Sequence, residues 1–268
     1  MTTESWAVAA PQAIDVDGIT GLDVRLQAGS AEVVADPAAV AVRVEVIEVV
    51  GHPLQVLHHD GRLRVGYEEA GIEGLFTRFK SMRDNDRAVV RVTVPTAVPV
   101  DVATVAARVD IRGASATKAK TVTGSVHVAS SSGPLSVRTV SGETNVSAHT
   151  GDVAAASVSG SLTVDGALGR VSLQTVSGGV VVTARASTPL VTVRTVSGQV
   201  EVRLDPGTAV NLKVRGGPAQ AMLDGAALPS TSAHTLHVDH MDQVQPGAAG
   251  AAYVSATTGT GRVSVTRR

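Results

Sequence analysis

Thr121-Val122-Thr123-Gly124, Thr139-Val140-Ser141-Gly142, Ser157-Val158-Ser159-Gly160, Thr175-Val176-Ser177-Gly178 and Thr195-Val196-Ser197-Gly198 are one phrase written five times. Gly124, Gly133, Gly142, Gly151, Gly160, Gly169 and Gly178 recur every nine residues, and the phrase returns at every second one, so the unit is eighteen residues with two similar halves. Recurrence at a fixed period is the mark of stacked repeats, each hiding its apolar face only against its neighbours. After the glycine of each half the second and fourth residues are apolar, as in Val126 and Val128, Leu135 and Val137, Leu162 and Val164, or Val180 and Val182, with Thr144 and Ala155 as the exceptions. Alternation of this kind turns those residues inward and their neighbours outward. At ~3.3 Å per residue, nine residues make about six residues of strand and a turn at the glycine.

The reading is therefore an all-β fold: a parallel, β-helix-like β-solenoid of about 18 residues per coil, with an N-terminal hairpin lead-in and one short capping helix. A three-sided helix of hexapeptides fails on its third side. Val122 and Val128, or Val140 and Val146, sit six apart, but the next steps land on Pro134 and Asp152. Residues 1–13 read as a tail, 14–112 as the β lead-in with a helical insertion at about 71–86, and 113–268 as the repeats with a C-terminal strand, all one continuous domain. Hairpins are expected where Leu22-Asp23-Val24-Arg25-Leu26 and Val42-Arg43-Val44-Glu45-Val46 alternate, and at Asp60-Gly61. Ile72, Leu75, Phe76, Phe79 and Met82 fall at helical spacing. Such a stripe seals an open end of the core, or docks on a partner or weakly on a membrane surface through 72–82, with Phe76 and Phe79 as anchors.

Composition removes several functions. Lys plus Arg number 23 against 24 Asp plus Glu, so no basic field gathers nucleic acid. Trp6, Tyr67, Phe76, Phe79 and Tyr253 are the whole aromatic complement, which leaves no platform for stacking bases or sugars. Without cysteine there are no disulfides, thiolate metal sites or cysteine nucleophiles. Met1 to Gln12 carries no signal-like charge and apolar run, and no stretch reaches the ~18 apolar residues of a membrane span, so a cytoplasmic location is expected.

The repeated Thr-Val-Ser-Gly-x-Val-x-Val phrases, the β lead-in and the closing Gly259-Thr260-Gly261-Arg262-Val263-Ser264-Val265 resemble a bacterial β-strand-repeat family of unknown function labelled "putative adhesin". The likeness covers Ile14 to the C-terminus. It implies a β-helix-like fold and no established enzyme activity; the absence of an export signal is where this chain departs from a surface adhesin.

No nucleophile elbow, phosphate-binding loop or zinc-protease motif occurs, and neither a catalytic residue nor a cofactor is assigned. His234, His237 and His240, beside Asp239 and Asp242, are the metal candidate, although a strand there would put His237 and His240 on opposite faces. His58 and His59 face apart for the same reason. Four residues before each phrase glycine runs a column of Lys120, Arg138, Ala156, Gln174 and Arg194, beside a hydroxyl column of Thr121, Thr139, Ser157, Thr175 and Thr195. Hydroxyl ladders bond along a stack and charges keep its face soluble; the stripe is also a flat surface for a protein partner or a repetitive polar ligand. The functional expectation is a non-enzymatic interaction or scaffold module. Its alternatives are a cytoskeleton-like polymer of stacked coils and, less favoured, a carbohydrate-active β-helix enzyme, which needs clustered carboxylates that the repeats do not supply.

Overall fold

Alternating apolar and polar residues make this chain strand nearly throughout, and what decides the architecture is which strands meet. A computed structural model describes residues 3–67, 86–185, 188–217, 220–230, 235–242 and 250–267. Among these residues there is no helix, and hence no helix long and apolar enough to cross a membrane. The chain divides into two compact units, Met1–Ser131 and Ser132–Arg268.

The first unit contains β1 (Thr3–Val8), β2 (Gln12–Val16), β3 (Gly21–Asp36), β4 (Val42–Val50), β5 (Leu54–His59), β6 (Arg62–Gly66), β7 (Arg87–Pro95), β8 (Val100–Arg112), β9 (Ser115–Thr121) and β10 (Val126–Ala129). Two long strands, β3 and β8, lie side by side and parallel, and each serves two ladders. Their first halves continue to β9 on one side and to β6, β5 and β1 on the other. Their second halves continue to β10, and to β7, β4 and β2. Where β3 passes from one ladder to the other stands Gly29, at φ +106, so close to the Ala88 backbone that no Cβ fits. Inward residues of both ladders, among them Val24, Leu26, Val33, Val102 and Val109, are buried.

The second unit contains β11 (Ser132–Thr139), β12 (Thr144–Ser157), β13 (Leu162–Thr175), β14 (Val180–Ala184), β15 (Leu190–Ser197), β16 (Val200–Leu204), β17 (Ala209–Gly216), β18 (Gln220–Leu223), β19 (Ala226–Ala227), β20 (Leu236–Met241), β21 (Ala251–Thr260) and β22 (Arg262–Arg267). Its first ladder runs β11, second half of β12, second half of β13, β15, β21, β17, β20. Its second runs first half of β12, first half of β13, β14, β16, β22, β18, β19. All pairings are parallel except the outermost in each, β17 with β20 and β18 with β19. The register stacks like on like: Leu135, Val153, Val171, Val191, Val254 and Leu212 form one buried column, and Val146, Val164, Val182, Val202, Val265 and Leu223 another. Each fully buried valine contributes about 1.5–3 kcal/mol relative to exposure, which makes these columns the main source of the unit's stability.

The predicted parallel β-solenoid with hairpin lead-in and capping helix is corrected on three points. First, β12 and β13 are 14 residues each and run through Gly151 and Gly169, so alternate glycines are not turns and the expected half-coils fuse into single strands. Second, the eighteen-residue step links only β11 to β14; beyond it, β15 and β16 pair with β21 and β22, which are inserted between them and β17 and β18. Third, the lead-in is built on the long-range parallel pair β3 and β8, with antiparallel strands only on its outer side. The capping helix expected at 71–86, with Phe76 and Phe79, falls almost wholly outside the described residues.

Candidate functional site

The repeated phrase builds a corner between the two ladders of the second unit. Its first residue points inward, where Thr139 and Ser157 are buried and their hydroxyl oxygens accept hydrogen bonds from the backbone N–H of Gly142 (2.9 Å) and Gly160 (2.7 Å). In the first unit Thr121 accepts from Gly124 in the same way (2.9 Å). A side-chain oxygen three residues before the donor satisfies an N–H that the turn would otherwise bury unpaired. Successive corners are tied by the backbone, Ser159 N–H donating to Val140 C=O and Ser177 N–H to Val158 C=O, both at 2.9 Å. The phrase glycines stack so tightly that a Cβ on Gly160, Gly178 or Gly198 falls inside 3.0 Å of the carbonyl oxygen of the glycine one rung below. Glycine is needed here by the neighbouring rung rather than by φ.

The phrase's second residue points out. Val140, Val158, Val176 and Val196 are 46%, 47%, 47% and 57% exposed and form an apolar ridge along the corner. Two residues earlier, facing the same way, runs the column Arg138, Ala156, Gln174, Arg194, Thr257, Arg215. Beside it lies a column of small residues, Ser136, Ala154, Ser172, Thr192 and Ser255, which continues into Lys213 and Asp239 on the last two strands. Among the described residues Arg138, Arg194 and Arg215 make no ion pair, whereas Arg91, Arg108, Arg185 and Arg203 each hold a carboxylate at 2.7 to 2.9 Å. Asp152, four residues before Ala156 on β12, accepts the backbone N–H of Arg170 at 2.8 Å.

The sequence column is thus brought together for Arg138, Gln174 and Arg194 on one exposed face. Lys120 lies half-exposed on β9 of the first unit, level with Ala103. The outward valines and Arg215 were missed. The valines share outward parity with the arginine column and could have been read from it, while Arg215 reaches the column through the pairing of β17 with β21, which no period announces.

Of the metal candidates, His234 lies outside the described residues. His237 is exposed on β20, and the His240 ring nitrogen Nε2 is 2.9 Å from Asp242 Oδ1. Asp242 also accepts the backbone N–H of Val210 at 3.0 Å and a guanidinium hydrogen bond from Arg267 at 2.6 Å, while Asp224 takes the Arg267 side chain at 2.8 Å through Nε. Among the described residues no group of three His, Asp or Glu converges as a metal site would require. Burial raises both carboxyls, yet hydrogen bonds from Arg267 at Asp224, and from Val210 and His240 at Asp242, together with the Arg267 charge, hold each below the ordinary carboxylate range. The cluster fastens β22 to the turn after β18 and to the end of β20.

No family model matches the chain. No curated protein matches it either. Among solved structures, a "putative adhesin" from Bacteroides fragilis is similar at TM-score 0.35 and 9% identity over 98% of this chain and 97% of that one, and a "putative cell adhesion protein" from Clostridium sporogenes at TM-score 0.30 and 10% identity over 100% of both. These two carry no weight for the fold. A "putative lipid binding protein" from Parabacteroides distasonis, 12% identical over 97% of this chain and 98% of that one, reaches a TM-score of 0.54, and with it this chain shares a fold.

Proposed function

We propose that the chain is a non-enzymatic interaction module of the adhesin kind, which holds an extended or planar anionic partner against the first ladder of its second unit. The observation that carries this reading is the exposed column with Arg138, Arg194 and Arg215, without ion pairs among the described residues. Several other arginines of the chain are answered by nearby carboxylates, as at Arg108 with Asp110 and Arg203 with Glu201. Three left unanswered in one column, on rungs held by parallel backbone bonding, form a preorganised anion-binding face. A non-enzymatic role is supported by the way the second unit's best-connected carboxylates, Asp224 and Asp242, are committed to Arg267 and kept ionised.

The test is binding of the purified protein to immobilised sulfated polysaccharide, polyglutamate and anionic lipid vesicles, compared with the R138E/R194E variant. Binding to at least one of these that falls at least about tenfold in the variant supports the reading, since reversing two contacts exceeds the loss of one surface pair. Equal binding by both proteins, or none by either, refutes it.

A further inference from the structure

Resting on that reading, we infer that the partner is an anionic lipid surface, with the Val140, Val158, Val176 and Val196 ridge entering the headgroup layer and Arg138, Arg194 and Arg215 taking lipid phosphates or carboxylates behind it. Two independent features meet here. One is charge: a basic column with no acid in it, running down the first ladder through Arg138, Gln174, Arg194 and Arg215. The other is an exposed apolar line at the adjoining corner, Val140, Val158, Val176 and Val196, set two residues beyond Arg138, Ala156, Gln174 and Arg194; at the last two rungs the same place is taken by Gly259 and Gly217. At about 4.8 Å per rung, Arg138 and Arg194 stand roughly 14 Å apart and Arg194 and Arg215 roughly 10 Å apart, with the four valines at single rungs from Arg138 to Arg194. Apolar surface beside cationic side chains is what an anionic membrane interface selects, because each half alone binds marginally and the two together add.

The shape favours lipid over the other anionic partners. A single line of half-exposed valines, one residue wide at the corner, is met more readily by a deformable layer than by a second rigid protein face. A polyanion in solution would use the arginines and leave the valines wet. Nor is the ridge needed for folding: side chains about half exposed contribute little to the core, so replacing them leaves the unit intact.

The experiment is vesicle flotation with the full chain, using phosphatidylcholine alone and phosphatidylcholine containing about one-third phosphatidylserine. The proteins compared are the wild type, V158D/V176D and R138E/R194E/R215E, each first shown to melt like the wild type. The expected result is flotation with the anionic vesicles only, lost at high salt, and reduced at least about tenfold by either set of replacements. Equal flotation of V158D/V176D and the wild type overturns the inference. So does capture by immobilised sulfated polysaccharide with no flotation, which would leave the anion-binding reading standing and replace lipid with a soluble polymer. No loss in the arginine variant for any of these probes would overturn both readings together.

Discussion

Three glycines of the second unit separate the two reasons a chain keeps glycine. At Gly160 a Cβ would lie inside 3.0 Å of the Gly142 carbonyl oxygen and press on the Ser157 hydroxyl, yet the backbone there is not left-handed. Gly207 has φ +76 and nothing within 4 Å, and Gly179 has neither constraint. In Gly160→Ala the Cβ meets the Gly142 backbone on one side and the Ser157 hydroxyl on the other, so the Gly142 and Gly160 corners must part and the rung bond from Ser159 N–H to Val140 C=O must lengthen. Overpacking costs about 1–3 kcal/mol and a strained hydrogen bond up to about 1 more, which sums to roughly 1–4 kcal/mol. Gly207→Ala should cost about 1 kcal/mol from φ alone, and Gly179→Ala should lie within about 0.5 kcal/mol of neutral. In urea, with a slope of about 2 kcal/mol/M, the first moves the unfolding midpoint by about 0.5–2 M and the last by almost nothing. If Gly160→Ala and Gly179→Ala unfold at the same urea concentration, the tight stacking of corner glycines is wrong.

Ser157→Ala removes the acceptor of the buried Gly160 N–H and should destabilise by about 1–2 kcal/mol, whereas Ser157→Thr, the residue found at the other corners, should restore the midpoint. The Arg267 cluster sets an acid limit: Asp224 and Asp242 titrate below their unfolded values, so their stabilisation is full above the ordinary carboxylate range and drains away as pH falls through it to the lower folded values. Melting temperature followed from about pH 6 to pH 3 should therefore fall more steeply in the wild type than in D224N/D242N, which starts lower at neutral pH.

Register was legible in the sequence because identical residues recur at identical steps: the columns through Val146, Val164 and Val182, or Arg138, Ala156 and Gln174, follow from counting eighteen. Topology was not. A period says which residues are equivalent and not which strands touch, so the meeting of Leu22 with Val100, or of Val193 with Ala256, has no local trace. The fusion of half-coils escaped notice because Gly151 and Gly169 look like Gly142 and Gly160; what distinguishes them is the Thr or Ser three residues before, which caps the corner glycines and has no counterpart before Gly151 or Gly169. At the candidate face the arginine column was visible and the valine ridge was not, because the alternation was followed only forward from each glycine, which leaves the valine two residues before it without a face.

The insertion of β21 and β22 between strands made earlier has a consequence for biosynthesis. As the polypeptide leaves the ribosome, β17 and β18 have no settled place: the strands against which they rest are still unmade. Until residues 251–267 arrive, β15 and β16 present bare parallel edges, the kind of surface that recruits a stranger's backbone. The nascent protein thus passes through an interval of risk that only its own late segment ends, and cutting that segment short should yield aggregation rather than a slightly smaller version of the same molecule.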